Sequence, residues 1–275
     1  MTTPSRPPLP AFSFPLFVPG NRPERIAKAR ATGTDTIIVD LEDAVAEAGK
    51  VAARGQVRAA LSEAHPVATF LRINAADTVW HQDDLALISD LAIAGVVLPK
   101  AETAAGLARV RAALPSDQYL IALVETARGL DNVRDIARNS DRIAFGSIDY
   151  CADLGCEHSR EALLFARSQV VLAARLADQP SPLDGVTTSI NDAAEIQGDA
   201  AYGSSLGFAG KLLIHPAQIT PAKQGFAPKP EALDWATRVL DSSQDGAARV
   251  LDGTMVDAPV IMRARNIIAR MEALK

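Results

Sequence analysis

Only two cysteines occur in the 275 residues, Cys151 and Cys156. Their CxxxxC spacing is poor for a zinc site and nothing suggests an oxidising compartment, so both read as packing residues. No run of 18 apolar residues is present, which excludes a transmembrane helix, and the N-terminus lacks a charged region followed by an apolar one, so no secretion signal is expected. There is no basic excess either. A formal net charge of −5 and a pI near 5.4 argue against nucleic acid as the main partner. Neither a GxGxxG turn after the first strand nor a Walker loop occurs. Dinucleotide binding and nucleotide-triphosphate chemistry therefore lose ground. The expectation is a cytoplasmic protein that neither enters a membrane nor binds nucleic acid.

What is there is a globular composition, 48% hydrophobic and 22% charged, in a chain long enough for one α/β barrel. Residues 1–10 carry four prolines and no periodicity, so 1–13 reads as an arm. A rhythm then begins. Strands are expected at Phe14–Val18, Thr36–Val39, Thr69–Ile73, Gly95–Leu98, Leu120–Val124, Arg142–Phe145, Leu183–Val186 and Lys211–Ile214. Helical spacing fills the intervals, as in Leu85/Ile88/Ala92, Leu107/Val110/Leu114 and Ile190/Ala194/Gln197. Eight strands alternating with helices predict a (β/α)8 TIM barrel over 14–227. Beyond it, 228–275 reads as a C-terminal helical appendage: a helix from Pro230 to about Ser242, a polar link, and a final amphipathic helix marked by Val260, Ala264, Ile267 and Met271. So short a segment cannot hold a core of its own and must pack on the barrel, on a neighbouring subunit, or on both.

The stretch Leu120–Gly155 organises the rest. It reads strand–helix–strand, with Glu125 at the end of the first strand and Asp149 just past the second. One βα unit of separation puts both carboxylates at the same edge of a parallel sheet, on strands roughly 5 Å apart. Two such groups can share one Mg²⁺, which takes oxygen ligands and fills its other positions with water and substrate. A metal-dependent enzyme is the expectation.

Other polar residues stand at strand ends: Asp40, Glu42, Asp43, Arg72, Asn74, Lys100, Glu102 and His215. Asp40, Glu42 and Asp43 would repel one another in a low dielectric without a cation nearby; one of them needs to face inward, and the others cap the loop or pair with Arg22 or Arg25. Lys100 and Glu102 read as salt bridges closing the barrel top, and His215, followed by Pro216, as a capping residue. Arg72 suits a substrate carboxylate or an oxygen that becomes negative, because a guanidinium keeps its proton and offers a rigid fork of donors; simple neutralisation of the acidic ring is the other reading.

The blocks FVPGNRPERIAKA, IIVDLEDAV, LRIN, VLPKAE, LVETARG, FGSIDYCADLG, GFAGKLLIHPAQI and MVDAP occur in this order. With them the chain, from Phe17 to its C-terminus, resembles the citrate lyase β-subunit and malyl-CoA lyase family of the HpcH/HpaI aldolase superfamily. The resemblance implies a TIM barrel with Mg²⁺ held by Glu125 and Asp149. It implies that Arg72 binds substrate and steadies the thioester oxygen, and that Glu42 and Asp43 lie near the metal's waters. In coenzyme-A-using relatives an aspartate of the adjoining subunit acts in proton transfer, a role that falls on Asp257. The family often has an acidic residue before the metal aspartate; here it is Ile148, and Asp153 is the alternative ligand should Asp149 not serve.

The reaction so implied cleaves a β-hydroxyacyl thioester to a keto acid and an acyl-CoA enolate, in a homo-oligomer, trimer or hexamer, with shared sites. Other readings are a β-subunit acting on acyl-carrier-protein thioesters, a pyruvate-type aldolase without thioester, and a non-catalytic scaffold.

Overall fold

A computed structural model describes residues 9, 11–242, 249–251 and 254–274. Eight strands run parallel in sequential order: β1 (Leu16–Pro19), β2 (Thr36–Asp40), β3 (Ala68–Arg72), β4 (Gly95–Leu98), β5 (Tyr119–Val124), β6 (Arg142–Phe145), β7 (Leu183–Asp184) and β8 (Gly210–Lys211). The sheet curls until its ends meet. Phe17 N donates to Leu213 O at 2.8 Å, and Leu213 N donates to Pro15 O at 3.0 Å. The result is a parallel α/β fold with the strand order of a TIM barrel.

Strands buried on both faces need unbroken apolar runs rather than alternation. Ile38, Phe70, Val97, Ile121, Leu123, Ala144, Leu183 and Leu212 form an inner cluster, while Ile37, Val39, Leu71, Val96, Leu98, Ala122, Val124 and Phe145 face the helices. Phe12, from the stretch expected to be an arm, is buried in the inner cluster, and its carbonyl accepts from Arg142 Nη1 at 2.6 Å. The rest of that arm lies outside the described residues apart from residues 9, 11 and 13.

Two strands are shorter than the apolar runs suggested. β7 stops at Asp184 and β8 at Lys211, and the chain beyond Lys211 is tied to β1 and to Asp184 by single hydrogen bonds rather than a ladder. Two helical expectations also shift. The helix Ala193–Leu206 starts behind its N-cap Asp192, whose carboxylate accepts from Glu195 N, so Ile190 lies before the helix. Leu85 and Ile88 split between the helix His81–Leu87 and a 3₁₀ turn, Ile88–Asp90.

At the C-terminal end the helices Pro230–Ser242 and Ala258–Ala273 pack on each other through Ala236, Val239, Ala264 and Ile267. Strands Arg249–Leu251 and Thr254–Val256 pair antiparallel between them, where a polar link was expected. Arg270 Nη1 donates to Ser204 Oγ at 2.8 Å, tying the last helix to the end of Ala193–Leu206 that leads into β8. Among the described residues no helix is long and apolar enough to cross a membrane.

Candidate active site at the carboxyl ends of the strands

In a parallel α/β barrel the strands' carboxyl ends converge on one face, and functional groups collect there. A cavity of about 380 Å³ opens at that face. Asp40, Asp43, Arg72, Glu125 and Asp149 line it, from four strand ends and the loops or helix that follow: Asp40 and Asp43 after β2, Arg72 on β3, Glu125 after β5 and Asp149 after β6. β5 and β6 pair with Val124 opposite Phe145. Glu125 and the helix Ser147–Leu154, with Asp149 in its first turn, therefore leave the sheet side by side.

Arg72 closes the acidic ring. Its Nε donates to Asp40 Oδ1 at 2.8 Å and its Nη2 to Asp40 Oδ2 at 2.6 Å, a bidentate pair. Its Nη1 lies 3.0 Å from Glu42 Oε2 and 3.3 Å from Asp43 Oδ2. Glu42 Oε2 is buried without a hydrogen-bond partner, so its contact with Nη1 is one of charge rather than aligned donation. The guanidinium carbon lies over the Phe17 ring, 4.7 Å from its centre. The cation expected for the Asp40/Glu42/Asp43 cluster is thus Arg72 and not Arg22, which pairs with Glu24. Two members of the cluster, Asp40 and Asp43, line the cavity where one was expected to face inward; the two oxygens of Asp40 also accept from the N–H groups of Glu42 and Ala44, which shapes the loop.

Lys100 acts twice. Its Nζ pairs with Glu42 Oε1 at 2.7 Å, and its backbone N–H donates to Glu125 Oε1 at 2.8 Å. The N–H points there because Lys100 has a φ of 44°, in the left-handed region that non-glycine residues rarely occupy. Gly146 supports the same carboxylate from the other side, since a β-carbon there would collide with it. Nothing in the sequence pattern announced either device.

Charge does not balance here. Asp40, Glu42, Asp43, Glu125 and Asp149 face two cations, Arg72 and Lys100; a third, Lys50, is used on the carbonyls of Leu41 and Glu42. Burial, with Glu42 and Asp149 close by, pushes the Glu125 carboxyl up to about 8. Asp149 is also raised, by burial and then by Asp43. Among the described residues no three metal-binding side chains form a ready cage.

The remaining sequence candidates fall outside the cavity. His215 Nδ1 accepts from Ala217 N and caps the turn Pro216–Gln218, as expected. Glu102 accepts from Thr126 Oγ1 and pairs with Arg128. Asn74 donates to Asp84. Asp153 accepts from Ala127 N at 2.7 Å. Asp257 accepts from Val260 N and caps the last helix. Cys151 and Cys156 are free thiols, and Cys151 Sγ donates to Glu157 O at 3.6 Å. Sequence reasoning overlooked Ser147, which lines the cavity and hydrogen-bonds His158 Nε2 at 2.9 Å.

The family model for HpcH/HpaI aldolase/citrate lyase matches residues 13–216. The chain belongs to this family. It is 38% identical over 274 residues to a citrate lyase subunit beta-like protein of Deinococcus radiodurans, covering 92% of this chain and 95% of the relative. To a (3S)-malyl-CoA thioesterase of Cereibacter sphaeroides it is 33% identical over 274 residues, covering 96% and 95%. The crystal structure of CitE from Mycobacterium tuberculosis, in complex with magnesium, acetoacetate and coenzyme A, superposes with a TM-score of 0.85 at 36% identity, covering 95% of this chain and 98% of that one. As a member of the aldolase/citrate lyase family, the chain is an enzyme, a carbon–carbon lyase.

Proposed function

We propose that the chain is a Mg²⁺-dependent lyase that cleaves or forms a β-hydroxyacyl thioester, giving a keto acid and an acyl-CoA, on a (β/α)8 barrel (14–227) with a C-terminal helical appendage (228–275). The observation that carries this reading is the unbalanced carboxylate charge around Glu125 and Asp149, facing the Arg72 guanidinium across one cavity. The donor set fits a hard divalent cation: oxygen ligands only, one of them a buried carboxylate whose charge a cation would stabilise, seated in the space that Gly146 leaves free. Glu125 and Asp149 would hold the ion, which when bound supplies Lewis acidity towards a keto acid's carboxylate and carbonyl. The CitE relative, which carries magnesium, acetoacetate and coenzyme A, supports the same ligand chemistry.

The chain's own groups then divide the work. Arg72 uses Nε and one Nη2 N–H on Asp40, so the donors left at Nη1 and Nη2 serve the thioester oxygen as it gains negative charge. Asp40 fixes the plane of that fork. Lys100 steadies Glu125 through its N–H and Glu42 through its ammonium. Glu42 and Asp43 stand beside Arg72, placed to orient water at the cavity mouth. The enolate carbon needs an acid, and Asp257 of an adjoining subunit is assigned that role. Its neighbours Ala258 and Pro259 line a groove with Ser204 and Ser205, at the end of Ala193–Leu206 that leads into β8, which supports service to a neighbour rather than to its own barrel. Closed symmetry in a trimer or hexamer would give every subunit one such contribution.

Purified protein with Mg²⁺, assayed against malyl-, citramalyl- and citryl-CoA, tests the reading directly. Cleavage of at least one is expected, and cleavage of none overturns it. Mixing inactive Arg72→Ala and Asp257→Ala variants should restore part of the activity; confirmed subunit exchange without recovery would remove Asp257 from the shared site.

A further inference from the structure

The cavity's walls differ in kind, and the difference bears on the choice of keto acid by the proposed lyase activity, on which this inference rests. Arg72, Glu125 and Asp149 reach the cavity from the ends of β3, β5 and β6, with Phe17 beside Arg72 and Ile148 beside Asp149. Val186, Leu212 and Ile214 line it from the segments that follow β7 and β8. Arg72 is the one cation among the lining residues, and it is already bound by Asp40 and flanked by Glu42 and Asp43. Lys100, the nearest further ammonium, is paired with Glu42.

A keto acid whose first carboxylate and carbonyl lie toward Glu125 and Asp149 must turn its remaining substituent to the apolar wall. Hydrogen or a methyl group fits there, since burying apolar surface against Val186 and Leu212 is favourable. A second carboxylate would meet no counter-charge on that wall. It would shed its water among aliphatic side chains, close to a ring already in anionic excess.

We infer that this site takes a monocarboxylic keto acid bearing hydrogen or a small alkyl group, of the glyoxylate or pyruvate kind, and rejects a dicarboxylic one such as oxaloacetate. Ile148 is a specificity-determining residue. It sits on the cavity wall in the first turn of Ser147–Leu154, next to Asp149 and about one-third exposed at 36%, where a cationic side chain would reach a second carboxylate.

The test has two arms, both on the intact protein with Mg²⁺. In the first, kcat/KM is compared for malyl-, citramalyl- and citryl-CoA. Either of the first two should exceed citryl-CoA by about 100-fold or more, the scale of burying a polar group without a partner. In the second, pyruvate and oxaloacetate are titrated calorimetrically, and oxaloacetate should bind at least about tenfold more weakly. Ile148→Arg should narrow both gaps by strengthening oxaloacetate and citryl-CoA. Citryl-CoA cleaved as well as citramalyl-CoA, or oxaloacetate bound as tightly as pyruvate, overturns the inference. Unchanged gaps in Ile148→Arg remove Ile148 from it. If no thioester is cleaved the lyase reading fails, while the binding arm still decides the class of keto acid.

Discussion

Two ionic networks occupy the same curled sheet, and they differ in charge balance. On the β7–β8 side, Arg167 Nε donates to Asp184 Oδ1 at 3.0 Å and Lys211 Nζ to Asp199 Oδ2 at 2.8 Å. Two cations meet two carboxylates there; Thr187 Oγ1 also donates to Asp199, and Lys211 Nζ to Gly185 O. Burial alone would raise the Asp199 carboxyl, but Lys211 and Thr187 outweigh it and hold it below its ordinary value. Asp184 Oδ2 has no hydrogen bond and faces Lys211 Nζ at 4.0 Å. On the β2–β6 side, five carboxylates share two cations, and Glu125 is pushed up rather than down. A balanced buried network fixes the fold; an unbalanced one awaits a ligand of the missing sign.

The comparison breaks first at Glu125 and Asp149, the carboxylates proposed to hold the metal. Glu125→Gln or Asp149→Asn should abolish Mg²⁺-dependent turnover while circular dichroism shows the fold intact, because on that proposal only ligands to the ion are lost. On the balanced side the effect should fall on stability instead. Asp184→Asn leaves Arg167 without its partner and should cost about 3–5 kcal/mol in denaturant unfolding, with Mg²⁺ affinity of the folded fraction unchanged. Equal effects of both kinds in both networks would erase the distinction. Arg72→Lys should lower kcat by about 10²-fold, since a point charge cannot reproduce the fork; near-normal turnover would show that Arg72 only balances charge.

A smaller effect comes from pH. In the metal-free protein Glu125 titrates near 8 instead of its ordinary 4.5. The folded state therefore holds this proton more tightly than the unfolded chain, so the stabilisation is complete below about 4.5 and is lost as pH rises through about 8. Metal-free Tm should fall across that window, and Glu125→Gln, neutral throughout, should flatten the slope and be the more stable protein at its alkaline end. A slope unchanged by Glu125→Gln would place the titration elsewhere.

The strand order and the two carboxylates were legible because both follow from local pattern: apolar runs bounded by turn residues, and one βα unit between Glu125 and Asp149. The need of Asp40, Glu42 and Asp43 for a cation was legible too, but not its source, since Arg72 is 32 residues from Asp40 and no periodicity links them. Lys211 in the run GKLLIH carried a signal that went unused, for a lysine inside a buried strand requires a buried partner. The left-handed turn at Lys100 had no signal at all. Val186 and Ile214 extend their apolar runs past the last ladder bond because they serve as cavity wall rather than as strand.

Calorimetric titration of Mg²⁺ at about pH 7, in two buffers of different ionisation enthalpy, bears most directly on the anionic surplus around Glu125. A ligand carboxylate that is protonated beforehand must give up its proton when the ion binds. The wild-type protein should bind Mg²⁺ with proton release, and both Glu125→Gln and Asp149→Asn should lose the binding. A titration that is unchanged in the two variants would contradict the assignment of this site to a metal.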